Sequence, residues 1–223
     1  MTASIVPQLI RKDLRLMKIP TLLWWCGGLL SVIALMAGAS FLVCFIFFVT
    51  AMAGAGMHAV MQTVVEERRD KVLPFVMSLP ITVREYTTAK IAANLAIFLP
   101  VWLTLSAMSY VIFVDAEEGM ARGKLPFVTI VLVGILLAYT VVLATSLITE
   151  SIGWSITAMV GANILTQSFL WWAVDLEGIR SLLESDVVVW SATAWTILIA
   201  QVAIIVALIL LTHALQARKT DFL

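Results

Sequence analysis

The chain reads as long apolar runs separated by short charged ones. Residues 20–60 carry no Asp, Glu, Lys or Arg. A span needs about 20 residues, so a run of this length holds two. The pattern predicts spans over 21–37 and 41–62, with Gly38, Ala39 and Ser40 as the turn. A third span follows over 91–114, kinked at Pro100. Further apolar runs predict spans over 126–148, 152–172 and 190–215. A short polar loop, 115–124, joins spans three and four. Residues 149–151 form a tight turn between spans four and five. A loop over 173–189 carries Asp175, Glu177, Glu184 and Asp186, and Arg218 and Lys219 lie in a basic tail. The fold class is all-α: an integral membrane protein of six transmembrane helices.

Two segments break the apolar pattern. Residues 5–18 mix Ile5, Leu9 and Leu16 with Arg11, Lys12, Arg15 and Lys18, the signature of a basic amphipathic helix lying in the membrane interface. Residues 64–94 hold Glu66, Glu67, Arg68, Arg69, Asp70, Lys71, Arg84, Glu85 and Lys90. Unpaired charge at a bilayer centre costs several kcal/mol, so this segment belongs in water. Thr82 and Glu85 have the spacing of a capping box, in which each side chain satisfies an orphan N–H at a helix start. The segment predicts a short helix over 65–73, a break at Ser78, Leu79 and Pro80, and a second helix from Thr82. That second helix passes into span three through Lys90 and Asn94.

Composition sharpens this picture. The chain has 223 residues, 62% hydrophobic and 13% charged, with a mean hydropathy of +1.05. A soluble domain is nearer a quarter charged. The whole chain, 1–223, therefore reads as one transmembrane domain. Its formal net charge of zero gives no signature for nucleic acid. Cys26 and Cys44 sit in apolar runs and suggest neither a disulfide framework nor a metal site. The apolar run after Lys18 is too long for a cleavable signal. With six spans both termini share a side. If that side is cytoplasmic, it holds eleven Lys and Arg against three (Arg122, Lys124 and Arg180) outside. The positive-inside rule then places both termini and residues 64–94 in the cytoplasm, and Trp171, Trp172 and Trp190 at the outer interface.

Chemistry is sparse. Residues 119–124, GMARGK, fall one short of a P-loop and lie on the outer side, so ATP would have to be hydrolysed by another chain. Glu66 and Glu67 begin an E-E-x-x-x-R pattern of intramembrane proteases, but its sixth position is Lys71. No histidine-bearing span accompanies it, and His58 and His213 lie near cytoplasmic ends, where His58 reads as a packing or interfacial residue. Ser155, Met159, Asn163 and Gln167 recur along span five. Buried amides in a bilayer need partners, so they face either another helix or a water-filled cavity. No ionisable residue sits at a span centre, which argues for an external energy source rather than ion coupling.

The segment between spans two and three resembles the corresponding loop of ABC-2 type permeases, the membrane subunits of ATP-binding cassette exporters. That loop reads roughly E-x-x-x-G-T-L-x-x-L-x-S-x-P-[IV]-[ST]-x-x-E-[IY]-x-x-[AG]-K. Glu67, Leu73, Val76, Ser78, Pro80, Ile81, Thr82, Glu85, Tyr86, Ala89 and Lys90 match it; Lys71, Val72 and Pro74 depart from it. The basic N-terminal helix fits the same family. The resemblance implies an exporter subunit in the cell (inner or plasma) membrane, without a cofactor of its own. Its partners would be a second permease and two copies of a cytoplasmic ATPase that binds ATP and Mg. The implied coupling residues are Glu66, Glu67, Arg68, Arg69, Leu73, Phe75, Ser78, Leu79, Pro80, Thr82, Arg84, Glu85 and Glu150. In the family, spans two and five line the central cavity at the dimer interface, which would make Met159, Asn163 and Gln167 part of the substrate pathway. An amphiphilic drug, lipid or peptide is the implied cargo, moved by alternating access. The alternative from the residues alone is an ATP-independent carrier, scramblase or scaffold.

Overall fold

The computed structural model describes residues 5–69, 82–115, 122–183 and 187–218, without the side chains at 41, 42, 68, 113–115, 122 and 182. Every regular element among them is helical. In order these are α1 (Ile5–Met36), α2 (Phe41–Val60), a π-helical turn (Met61–Val65), α3 (Glu66–Arg69), α4 (Val83–Asp115), α5 (Leu125–Thr149), α6 (Ile152–Asp175), α7 (Glu177–Leu183) and α8 (Ala192–Ala217). A 3₁₀ turn, Arg122–Lys124, precedes α5.

Five of these helices are long and apolar enough to cross a membrane: Ile5–Met36, Val43–Val65, Val83–Ile112, Leu125–Thr149 and Ala192–Ala217. The fifth expected span, α6, has the length, with 24 residues. At 1.5 Å per residue that is about 36 Å. Asn163, Gln167 and several Ser and Thr dilute its apolar character, which is why it stands apart from the other five.

The first expected boundary moves. The interfacial helix over 5–18 is not a separate element: it is the first part of α1, which runs unbroken through Pro20 for 32 residues. That is about 48 Å, against a hydrocarbon core of about 30 Å. A long helix tolerates an internal Pro where the freed carbonyl can be satisfied locally. The short helix expected from residue 65 likewise continues α2 through the π turn rather than starting afresh, and it is described only as far as Arg69. The rest of it, and the break at Ser78, Leu79 and Pro80, lie outside the described residues. The expected loop over 173–189 contains α7, whose buried Ile179 packs against Ile130, Ala194 and Leu198.

The other joints follow local chemistry. Ser151 and Ser191 cap α6 and α8, their hydroxyls accepting from the backbone N–H of Trp154 and Ala194. Gly38 turns the chain after α1 with φ +88°, and Glu150 turns it after α5 with φ 55°, left-handed for a non-glycine residue.

The core lies between α1, α2, α4 and α5, around Phe48, Met52, Phe98, Leu105, Ile135 and Tyr139. α8 packs along α5, where the Gln201 side-chain amide donates to the Ile130 carbonyl at 3.2 Å. The small residues of α2 permit close approach of its neighbours. A Cβ on Gly54 would lie 2.7 Å from the Trp24 ring, and one on Gly56 would lie 2.7 Å from Tyr139 and 3.1 Å from Phe98. Those two rings stack with centroids 4.1 Å apart. Gly56→Val should therefore force the stack open, at a cost of about 1–3 kcal/mol for overpacking. Thermal unfolding of the detergent-solubilised chain checks this, with Gly27→Val as the control, since a Cβ at Gly27 meets nothing within 4 Å.

Candidate functional site

The N-terminal end of α1, the C-terminal end of α2 with its π turn, and the start of α4 meet in one polar junction. α2 and α4 run antiparallel and pair at one-turn intervals. Thr63 faces Asn94, whose side-chain Nδ2 donates to Thr63 Oγ1 at 2.8 Å. One turn on, Glu67 faces Lys90, with Lys90 Nζ 2.7 Å from Glu67 Oε2. α1 runs parallel to α4 beside them. Leu9 packs on Tyr86 and Ala89, and Met17 packs with Ile97. Between these two contacts, Asp13 Oδ2 lies 2.8 Å from Lys90 Nζ.

The result is a buried cluster of four charges. Lys90 is 0% exposed, Asp13 1% and Glu67 7%; Lys12, at 45%, closes the cluster toward solvent and contacts both carboxylates. Tyr86 adds a hydroxyl donor to Glu67 Oε2 at 3.2 Å. Burying one ammonium alone would be prohibitive, whereas two carboxylates and good hydrogen bonds make it tenable. Burial by itself would push the Glu67 carboxyl up. Lys90 and Lys12 more than reverse this, holding it below the usual carboxylate range.

The π turn matters here. Such turns insert a residue into an α-helix and re-aim the side chains around it. In this one Thr63, Val64 and Val65 are all buried, and Thr63 Oγ1 donates to the Ala59 carbonyl at 2.7 Å. It hands α2 over to α3 with both Thr63 and Glu67 facing α4.

The sequence-derived coupling residues do not share one environment. Glu67 turns inward and ties the junction together. Glu66, half-buried, accepts from Gln62 Nε2 at 3.0 Å. Arg69, Thr82, Arg84 and Glu85 are exposed. The capping box is present: the Thr82 N–H donates to Glu85 Oε2 at 2.9 Å, and the Glu85 N–H donates to Thr82 Oγ1 at 3.2 Å. Leu73, Phe75, Ser78, Leu79, Pro80 and the Arg68 side chain lie outside the described residues. Glu150 sits at the left-handed turn before α6. Asp13 was missed altogether. Its signal was register: it falls four residues after Leu9 and four before Met17, on the apolar side of a basic helix.

The expected stripe on α6 splits. Four-residue steps drift by about 40° each on a 3.6-residue helix, so residues 155 and 167 end far apart. Ser155 is buried and donates to the Ser151 carbonyl, whereas Asn163 and Gln167 are exposed. The Asn163 amide donates to the Met159 carbonyl at 2.9 Å and to Met57 Sδ of α2 at 3.3 Å. The cleft they line with Val49, Ala53 and Tyr139 holds about 30 Å³, room for a water rather than an amphiphile. Elsewhere, Trp24 Nε1 donates to His58 Nδ1 at 3.1 Å, in keeping with a packing role for that histidine.

The charge cluster sets two expectations. Lys90→Met leaves two buried carboxylates facing one half-exposed lysine, and should cost about 3–5 kcal/mol in denaturation of the detergent-solubilised chain; Lys12→Met should cost much less. The lowered Glu67 pKa means that its ionised form stabilises the fold above the ordinary value of 4.5. That contribution is lost as pH falls through the lower folded value. On acidification below about pH 4.5 the melting temperature should fall more steeply in wild type than in Glu67→Gln, which starts lower at neutral pH.

A family model described as ABC-2 family transporter protein matches residues 8–219. No curated protein and no solved structure matches the chain. The family match embraces α1, the charged junction, the polar face of α6 and the whole of α8, and the chain therefore belongs to the ABC-2 family of transporter proteins.

Proposed function

We propose that this ABC-2 permease is an exporter subunit driven by a separate cytoplasmic ATPase bound at the junction of α1, α3 and α4. The observation that carries this reading is the junction itself. A quartet of charges, three of them buried, locks three helix ends together, while Arg69, Arg84 and Glu85 remain exposed beside it. A lever needs a rigid mount and an accessible surface, and both are present at one end of the bundle. In this reading α6 is a sixth span, and both termini and the junction are cytoplasmic. The chain sits in the cell membrane and works with a second permease and two ATPase copies, which carry the ATP and Mg. Closure of the ATPase dimer pulls on the junction, and the cavity alternates between inward and outward access.

The pathway lies between two permeases. Its polar lining would come from Met159, Asn163 and Gln167, since exposed amides on a membrane helix must be covered by protein or water. The sparse charge there suits an amphiphilic drug, lipid or peptide. An ATP-independent carrier would have no use for a mounted lever at one end, so the driven exporter is preferred.

The test reconstitutes the permease with its ATPase. Reversing Arg84 and Arg69 to Glu should weaken ATPase capture, since interfacial charges select partners and set register. Thr82→Ala with Glu85→Ala removes a cap worth about 1 kcal/mol. It should spare both expression and capture but lower transport per ATP hydrolysed. Full transport with both sets of changes would show that the junction is no lever. Asn163→Leu with Gln167→Leu should change which substrates stimulate hydrolysis while leaving the complex assembled.

A further inference from the structure

A second feature of α1 is independent of the junction. Arg11, Arg15 and Lys18 follow one another at four and three residues, so they share one face of the helix. All three are exposed. Among the described residues no ion pair joins any of them to a carboxylate, because Asp13 is turned inward to Lys90. Beside that face, from Lys18 onward, a groove opens between α1 and α4, with a volume of about 350 Å³. Lys18, Thr21, Leu22 and Trp25 form one wall; Ala96 and Pro100 contribute to the other. On the α4 wall Ala96 is small, and Pro100 has no N–H to give the Ala96 carbonyl its usual helical donor. The Trp25 indole is pinned across the groove by its hydrogen bond to Thr104 Oγ1 at 2.8 Å. Thr21 Oγ1 is buried and has no hydrogen-bond partner among the described residues.

We infer that this groove is a binding site for one anionic glycerophospholipid of the leaflet at the N-terminal end of α1. The order of groups along the helix matches the order of groups in such a lipid. Arg11, Arg15 and Lys18 stand where a phosphate lies. Thr21, about 4.5 Å deeper than Lys18, offers a hydroxyl donor at the depth of the ester carbonyls. Leu22, and Trp25 about 10 Å below Lys18, line the apolar slot for an acyl chain. Basic residues at a membrane surface recognise anionic head groups in this way. A second copy of the chain is a poorer occupant, since it would have to bring carboxylates to three cations that no carboxylate among the described residues pairs with.

The experiment titrates the full-length chain in detergent with phosphatidylglycerol or phosphatidylcholine of matched acyl chains and counts retained lipids by native mass spectrometry. Wild type should retain phosphatidylglycerol in clear preference to phosphatidylcholine. Each of Arg11→Gln, Arg15→Gln and Lys18→Gln should lower that preference roughly fivefold. Ala96→Leu keeps every charge but fills the groove, and should reduce retention of phosphatidylglycerol as well. This second variant carries the test if the charge changes compromise folding, which far-ultraviolet circular dichroism would reveal. Equal retention of the two lipids by wild type, or unchanged retention in Ala96→Leu, would overturn the assignment. So would efficient disulfide cross-linking of two copies through Leu22→Cys in a background lacking Cys26 and Cys44, which would mark the groove as a protein interface. None of these outcomes depends on an ATPase, so the lipid site and the coupling role stand or fall separately.

Discussion

A lysine with no access to water dictates the shape of one end of this protein. Asp13 and Glu67 approach Lys90 from two other helices, at 2.8 and 2.7 Å. Each carboxylate in turn needs the lysine, so no one helix end can leave without stranding charge in a low-dielectric site. Apolar packing could hold the same ends together, but it would let them slide. Directional charge contacts fix register, and the pairings Thr63 with Asn94 and Glu67 with Lys90 fix it at two successive turns. The continuity of α1 becomes intelligible in this light. Its basic segment cannot lie flat in the interface while Asp13 reaches Lys90, so it stays in line with the span below.

Much of this architecture was legible in the sequence, and the exceptions have physical causes. Long apolar runs announce spans because a bilayer demands them, and α2, α4, α5 and α8 fall where hydropathy puts them. The Thr82 and Glu85 cap is a local interaction and could be read from spacing alone. α6 is legible as a helix, but rotation accumulates over twelve residues and carries Ser155 off the face of Asn163 and Gln167. α7 was hidden in a loop of mixed charge, since seven residues give too little periodicity to recognise. The junction was hidden for a different reason. Glu67 looked like one charge among many in a solvated loop, and Asp13 looked like a lone acid in a basic helix. Only the helix arrangement shows that both point at Lys90. What the sequence did carry was their register: Leu9, Asp13 and Met17 on one helix face, Tyr86, Lys90 and Asn94 on another. An acid and a base, each set into an otherwise inward-facing row, are candidates for each other.

The two polar regions of the chain are not independent, because α2 belongs to both. Met57, near its end, accepts the Asn163 hydrogen bond from α6. Ten residues later Glu67 lies in the charge cluster, about 15 Å further along at helical rise. Between them stands the π turn, whose hydrogen bonding departs from the rest of the helix. α2 is thus the one helix that touches both the charge cluster and, among the described residues, the Asn163 side chain. A straight helix would transmit motion between the two without a choice of register. A π turn interrupts that regularity, and such turns are frequent at functional sites. On the exporter reading, this is where a push at the charged end becomes a change in the face that α6 presents. Lys90 then has a second consequence: by anchoring Glu67 it ties the end of the turn to α4 and, through Asp13, to α1.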